Sequence, residues 1–178
     1  MPLGKFPTFF LLVALAALSA AIFGALHNQL SYSVGPDYFE SVKFPQFGIP
    51  DTTSPRFGAA QVGILASWWM GALVGLPAFL YGLFTVPKAR SYLAAGIGGI
   101  GLVLVLATFG ALAGLVGGIA AEATGVLDGF LTLPQGIDRA DFLRAGFMHD
   151  ASYVAGGLGA ILAFWPMRRA RAIDLARA

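Results

Sequence analysis

The sequence predicts an all-α membrane protein, a bundle of four transmembrane helices with both chain ends in the cytoplasm and an ordered periplasmic cap. Three observations predict this fold. The chain is 57% hydrophobic and only 11% charged, whereas a soluble domain is about 25% charged. Four apolar segments are each long enough to cross a bilayer. Lysine and arginine collect on one side of these segments. We expect a single membrane domain over residues 1–178.

The four predicted spans cover about residues 6–26, 57–86, 92–121 and 146–165. The first span could also be read as a signal peptide, but its apolar run exceeds the usual h-region of about 7–15 residues, so we expect an uncleaved helix. Pro77 predicts a kink in the second span. The fourth helix is expected to begin before the membrane, capped by Asp138 or Asp141.

The basic residues orient the spans. Seven lie on one side and four on the other, and the positive-inside rule places the richer side in the cytoplasm. The loops of about residues 28–56 and 123–145 are then periplasmic. Aromatic residues in the first loop predict an ordered cap, with short strand pairing around Ser41–Phe44, and the second loop is expected to fold against the first or lie along the interface. The seven cytoplasmic basic residues are Lys5, Lys88, Arg90, Arg168, Arg169, Arg171 and Arg177.

Small residues at helical spacing predict the faces on which the helices pack. Gly110, Gly114 and Gly118 recur every four residues on the third helix, which lets another backbone approach closely. A comparable face of the fourth helix carries His149. A third such face, on the first helix, ends at His27. We expect these faces to contact protein, either within the bundle or in a homo-oligomer or a membrane-protein partner.

Four ionisable residues fall at the same membrane edge: His27, Glu122, His149 and Asp150. Ionisable groups at membrane depth are costly and usually functional. Two histidines with carboxylates suit zinc, iron, manganese or copper, so the pattern predicts a metal site. Asp150 lies about 100° around the helix from His149, so these two side chains do not face the same point. Residues expected to support the site are Glu40, Arg56, Gln61, Tyr32, Ser152 and Tyr153.

Other interpretations of this band stay open. It is also explained by a buried hydrogen-bond network that ties helix ends together, or by bis-histidine haem ligation. His27 to Tyr32 and His149 to Tyr153 are similar in sequence, although chance explains the likeness. If it is real, both tyrosine hydroxyls would orient or protonate a ligand. Trp68 and Trp69 are read as packing or lipid contacts, or as one wall of a site for a lipophilic molecule such as a quinone.

The stretch from His27 to Phe39, with Phe44-Pro-Gln-Phe-Gly48 and Trp68-Trp69, resembles a group of small four-helix bacterial membrane proteins with no known activity. The resemblance covers mainly the first loop and the second helix. It implies a bacterial inner-membrane location and no activity.

We therefore expect a membrane protein that binds a metal or a small ligand, with enzymatic activity left open. The alternative is an accessory subunit of a larger membrane complex. A transporter is disfavoured, because no charged residue lies in the inner two-thirds of any span. The expected partner is the lipid bilayer. The basic C-terminal tail is explained by anionic headgroups without nucleic acid, and the absence of cysteine excludes disulfides and thiolate chemistry.

Overall fold

The computed structural model describes residues 4–133 and 136–177, and this part of the chain is helical without any strand. Four long helices form the body of the molecule, and three shorter elements connect or extend them. In chain order the elements are α1 Lys5–Val34, a π-helix Tyr38–Lys43, α2 Phe44–Phe47, α3 Pro55–Thr85, α4 Ala89–Thr124, α5 Arg139–Leu162 and α6 Phe164–Ala176.

Three of these helices, α1, α3 and α4, are long and apolar enough to cross a membrane. At 1.5 Å per residue each exceeds the roughly 30 Å hydrocarbon core of a bilayer. Large apolar side chains are exposed along these helices and along α5, which is the reverse of a soluble protein. Representative exposed side chains are Phe10, Phe84, Phe109, Val116, Val154 and Ile161.

The first connection is more helical than its sequence indicates. Helix α1 continues beyond residue 26 to Val34, so the first seven residues of the loop expected over 28–56 belong to the helix. The strand pairing expected around Ser41–Phe44 is wrong, because this segment forms the π-helix and the start of α2. In the second loop, residues 134 and 135 lie outside the described residues.

The helix ends agree with local sequence signals. The Asp138 side chain accepts a hydrogen bond from the Asp141 amide, which confirms Asp138 as the N-cap of α5. Helix α3 begins with Pro55, a residue whose missing amide costs nothing in a first turn. Helix α4 ends at Gly125, which has a φ of 63°. Such a left-handed backbone is the usual reason for glycine after a helix.

Close backbone contacts join α1 to α3. A methyl group added at Gly63 would lie 2.2 Å from the carbonyl oxygen of Gly24. One at Gly71 would lie 2.3 Å from the carbonyl oxygen of Ala16. No side chain fits between backbones this close, so glycine is required at these crossings.

Helices α4 and α5 form a second close pair. A methyl group at Gly114 would lie 2.2 Å from the carbonyl oxygen of Phe147, and one at Gly118 would lie 2.6 Å from that of Leu143. Gly110 approaches Ala151 and Ala155 in the same way. The packing face expected from the glycines of the third span is therefore confirmed, and α5 of the same chain covers it. The most extensive contacts lie within the two pairs, α1 with α3 and α4 with α5.

At one end of the bundle, which we call the α6 end, Asp174 ties α6 to the start of α4. Its carboxylate accepts hydrogen bonds from the Lys88 amide at 3.0 Å and from the Ser91 hydroxyl at 2.8 Å. A negative charge is favourable at a helix N-terminus. Met167 and Tyr92 are fully buried beside this contact, so the C-terminal helix belongs to the folded bundle.

We predict that Asp174→Asn lowers the thermal midpoint in detergent at neutral pH and that this difference shrinks in acid. Burial acts to raise the pKa of Asp174, but the hydrogen bonds from Ser91 and Lys88 and the nearby positive charges hold it below its usual value. The ionised carboxylate is thus favoured by folding. Its contribution is fully present above the unfolded value of 3.8 and is lost as pH falls through the lower folded value.

Thermal unfolding of the wild type and Asp174→Asn from pH 7 down to below about pH 3.8 checks this dependence. Asp51→Asn is the matched control, because Asp51 is exposed. An unchanged difference between wild type and Asp174→Asn across this range would show that the ionised carboxylate does not stabilise the bundle.

Candidate functional site

The last two turns of α1 join it to α3 at the opposite end of the bundle, which we call the histidine end. The Asn28 side chain donates a hydrogen bond to the Ala59 carbonyl at 2.9 Å. Gln29 donates to the Arg56 carbonyl at 2.9 Å, and the Arg56 guanidinium donates to the Gln29 carbonyl at 2.8 Å and to the Ser33 hydroxyl at 2.9 Å. These polar side chains therefore hold α1 against α3.

His27 and His149 meet between α1 and α5. Their ring centroids are 4.7 Å apart and the rings are nearly perpendicular, at 86°. Both residues are buried, with exposures of 9% and 5%. Phe23 stacks on the other side of His27, at 5.6 Å between centroids. The two histidines of the chain thus form one pair, although they lie more than 120 residues apart.

Ser31 links this pair to the backbone of α1. Its hydroxyl lies 3.3 Å from Nε2 of His149 and 3.2 Å from the carbonyl oxygen of His27. A serine hydroxyl has one proton. If that proton goes to the carbonyl, the serine oxygen accepts from Nε2–H of His149, which leaves Nδ1 of His149 as an acceptor. The tautomer is assigned here from the hydrogen-bond network.

Aromatic rings enclose His149. The ring centroids of Tyr38, Phe39 and Tyr153 lie 5.3, 5.8 and 6.2 Å from that of His149. Tyr38 and Phe39 are buried and are the first two residues of the π-helix. π-Helices are rare in proteins, and those that occur are often found at functional sites. This one carries two aromatic rings onto His149, so the first connection covers this side of the histidine pair.

Two buried polar atoms at this end have no hydrogen-bond partner among the described residues. They are Nε2 of His27 and Oε1 of Gln61. An unpaired buried polar atom costs about 1–3 kcal/mol, and each such atom in a folded protein calls for an explanation. At His27 the unpaired nitrogen belongs to a ring that also lines a cavity.

The cavity beside the histidine pair has a volume of 450 Å³. Its polar lining includes His27, His149, Lys43 and Gln46 together with side-chain hydroxyls, and it extends along α3 as far as Met70. A second cavity of 170 Å³ lies between the two helix pairs, with an almost wholly apolar lining. We call them the outer and inner cavities. Six residues line both, so the two are adjacent: Phe23, Ala66, Ser67, Met70, Ser152 and Tyr153.

The structure brings two of the four predicted metal ligands together and engages a third elsewhere. Glu122 accepts a two-pronged hydrogen bond from Arg144, at 2.8 and 3.0 Å, and this arginine precedes His149 by more than one helical turn. Asp150 is exposed. Within residues 4–133 and 136–177 no group of three or more histidine, aspartate or glutamate side chains is placed to hold a metal ion. Metal binding therefore stays a prediction. The two proposed ligands that the structure brings together are His27 and His149.

The predicted supporting residues have separate positions. The Tyr32 hydroxyl donates a hydrogen bond to Glu40. Tyr32 is one of the two tyrosines considered to act on a ligand, and its proton is thus already engaged. Arg56 lies over the Tyr32 ring, 5.0 Å from its centroid. Ser152 and Tyr153 line the cavities.

The two adjacent tryptophans of α3 have different surroundings. Both are exposed, Trp68 at 52% and Trp69 at 44%, but Trp69 also lines the outer cavity. Trp69 therefore lies where a ligand wall was considered.

Sequence reasoning missed three contributors to the site: Lys43, Ser31 and Gln46. Lys43 lines the outer cavity, donates to the Gln46 side chain at 3.0 Å and lies 5.3 Å from the centre of the Tyr38 ring. The sequence does show a lone lysine among the aromatic residues of the first loop. Which way its side chain points depends on the π-helix, which the sequence did not predict.

No protein-family model, curated protein or solved structure matches this chain. The structure by itself defines the class: an all-helical protein with three helices that are long and apolar enough to span a membrane.

Proposed function

We propose that this chain is a four-span protein of the bacterial inner membrane that binds a lipophilic small molecule between its helices, at the periplasmic end. The observation that carries the proposal is the pair of adjacent cavities, which leads from the buried histidine pair into the apolar centre of the bundle. Small-molecule sites are concave, mostly apolar and equipped with a few polar groups, and this site has that composition.

Helix α5 is the proposed fourth span. Its 24 residues extend about 36 Å at 1.5 Å per residue. Its charged start precedes the bilayer, and exposed Val154, Leu158 and Ile161 supply the lipid-facing surface. Four spans place both chain ends on one side, with Arg168, Arg169 and Arg171 of α6 in the cytoplasm. The resemblance of the first loop to bacterial membrane proteins supports the inner membrane as the location.

The polar groups at the histidine end would orient the bound molecule, and the apolar inner cavity would take its chain. The His27 ring lines the outer cavity, and its Nε2 atom has no partner among the described residues. With the ring proton on Nε2, an acceptor atom of the ligand would satisfy it. Trp69 and Phe23 line the same cavity and supply apolar walls. We propose ligand binding as the role of this space.

We predict the following topology. The chain has no cysteine, so a single introduced cysteine reports its own side of the membrane. Thr52→Cys in the first connection reacts with a membrane-impermeant maleimide in cells with a permeabilised outer membrane. Ala172→Cys in α6 reacts only after the inner membrane is opened. Both residues are exposed. Labelling of both cysteines before the inner membrane is opened would contradict four spans.

We predict that the cavity takes an alkyl chain, which photo-labelling measures. Hexadecanol with a diazirine on its chain should cross-link the purified protein at Met70 and Val103, which line the inner cavity. Gly156→Leu should suppress these cross-links, because Gly156 lines the cavity and a Cβ there meets nothing within 4 Å. Gly98→Leu is the matched control: its Cβ also meets nothing within 4 Å, and Gly98 is exposed outside the cavity.

Equal labelling at Met70 in wild type and Gly156→Leu, or labelling confined to lipid-facing positions, would contradict the proposal and favour an accessory subunit.

Elemental analysis of the same preparation, beside a His27→Ala/His149→Ala variant, tests the metal hypothesis. A stoichiometric metal that is lost in the variant would assign the histidine pair to a metal instead.

A further inference from the structure

The outer cavity has a positive charge and no negative one. Lys43 is the charged residue of its lining, and no aspartate or glutamate belongs to that lining. The other polar groups are histidine rings, side-chain amides and hydroxyls, which donate hydrogen bonds readily. The electrostatic character of this space therefore favours a negatively charged group.

Within the described part of the chain, Lys43 has no carboxylate partner in contact. The two ion pairs of the described residues are Arg139 with Asp128 and Arg144 with Glu122, and Lys43 instead donates to the Gln46 side chain at 3.0 Å. Burial lowers the pKa of Lys43, and the exposed Asp150 nearby offsets part of that effect. An ammonium group whose charged form is disfavoured by burial gains from an anionic partner.

His27 supplies a second, independent observation. It is nine-tenths buried, it lines the same cavity, and its Nε2 atom has no hydrogen-bond partner in residues 4–133 and 136–177. A head group with acceptor oxygens would interact with both residues, by charge with Lys43 and by hydrogen bonding with the imidazole. Charge-assisted hydrogen bonds of this kind are about twice as strong as neutral ones.

The adjacent inner cavity suits a single hydrocarbon chain. Its lining has no charged residue and includes the small residues Gly71, Gly75, Gly99, Ala107 and Gly156. Its volume is 170 Å³, and it lies between two helix pairs that are each held together by glycine contacts. A lipid with two chains would have to place the second one elsewhere.

We infer that the ligand is a long-chain fatty acid, whose carboxylate lies against Lys43 and His27 and whose chain extends between the two helix pairs. This inference rests on the proposed function. A carboxylate is favoured over a phosphate because one ammonium group balances one negative charge. The second negative charge of a phosphate would meet no further cation in the lining, which is costly in a desolvated site.

Competition between two probes that differ only in the head group tests the inference. Hexadecanoic acid and hexadecanol, each with the same chain diazirine, are compared at Met70 in wild type and Lys43→Gln, at a pH where the free acid is ionised. We expect Lys43→Gln to weaken labelling by the acid about tenfold relative to the alcohol, which corresponds to about 1.4 kcal/mol. Arg139→Gln is the matched control, since Arg139 is basic at the same end, pairs with Asp128 and does not line the cavity; it should leave the ratio unchanged.

The outcomes separate the two proposals. If both probes label Met70 equally and Lys43→Gln changes neither, the fatty acid is excluded while the lipophilic cavity stands. If neither probe labels the cavity, both proposals fall. A loss of both labels in Lys43→Gln would give Lys43 a structural role and overturn its assignment to the head group. Displacement of the acid probe by lysophosphatidic acid at lower concentration than by hexadecanoic acid would overturn the carboxylate.

Discussion

The close contact between glycine backbones is the constraint on which the rest of the structure depends. Gly63 against Gly24 joins α1 to α3, and Gly114 against the Phe147 backbone joins α4 to α5. Apolar side chains gain little from association in a membrane, because lipid is equally apolar, so helices associate by close packing. The chain concentrates that packing within two pairs. Between the pairs the contacts are sparser, and the inner cavity lies there.

The same contacts place the histidine end. Gly24 lies one helical turn before His27, so the crossing of α1 and α3 fixes the height of that ring. Gly118 contacts the backbone at Leu143, which sets the register of α5 and brings His149 level with His27. Asn28, Ser31 and the aromatic start of the π-helix then close around the pair. The site is thus a consequence of two helix crossings, with the first connection as its cover.

Sequence patterns predicted the helices and their packing faces better than the site. The spans follow from apolar length, and the spacing of Gly110, Gly114 and Gly118 indicates a close contact directly. The end of α1 was missed, because the polar residues from Asn28 to Ser33 resemble a loop although their side chains bond to α3. Glu122 was assigned to the histidines because it shares their height. Its contact with Arg144 is set by how α4 and α5 are aligned along each other. The residue spacing within a single helix does not reveal that alignment. Lys43 was missed for a related reason, since a π-helix changes the direction of every following side chain.

The central claim is that the two histidines face one ligand cavity. Nuclear magnetic resonance spectra of the two imidazole rings test this claim most directly. The chain has two histidines, so selective labelling with ¹⁵N- and ¹³C-histidine in bilayers reports the site alone. The structure predicts a through-space correlation between the two imidazole rings, and signals of both rings that shift when hexadecanoic acid or hexadecanol is added. The shifts should be absent in Gly156→Leu and present in Gly98→Leu. Rings without a mutual correlation, or spectra that neither probe changes at saturation, would contradict the account.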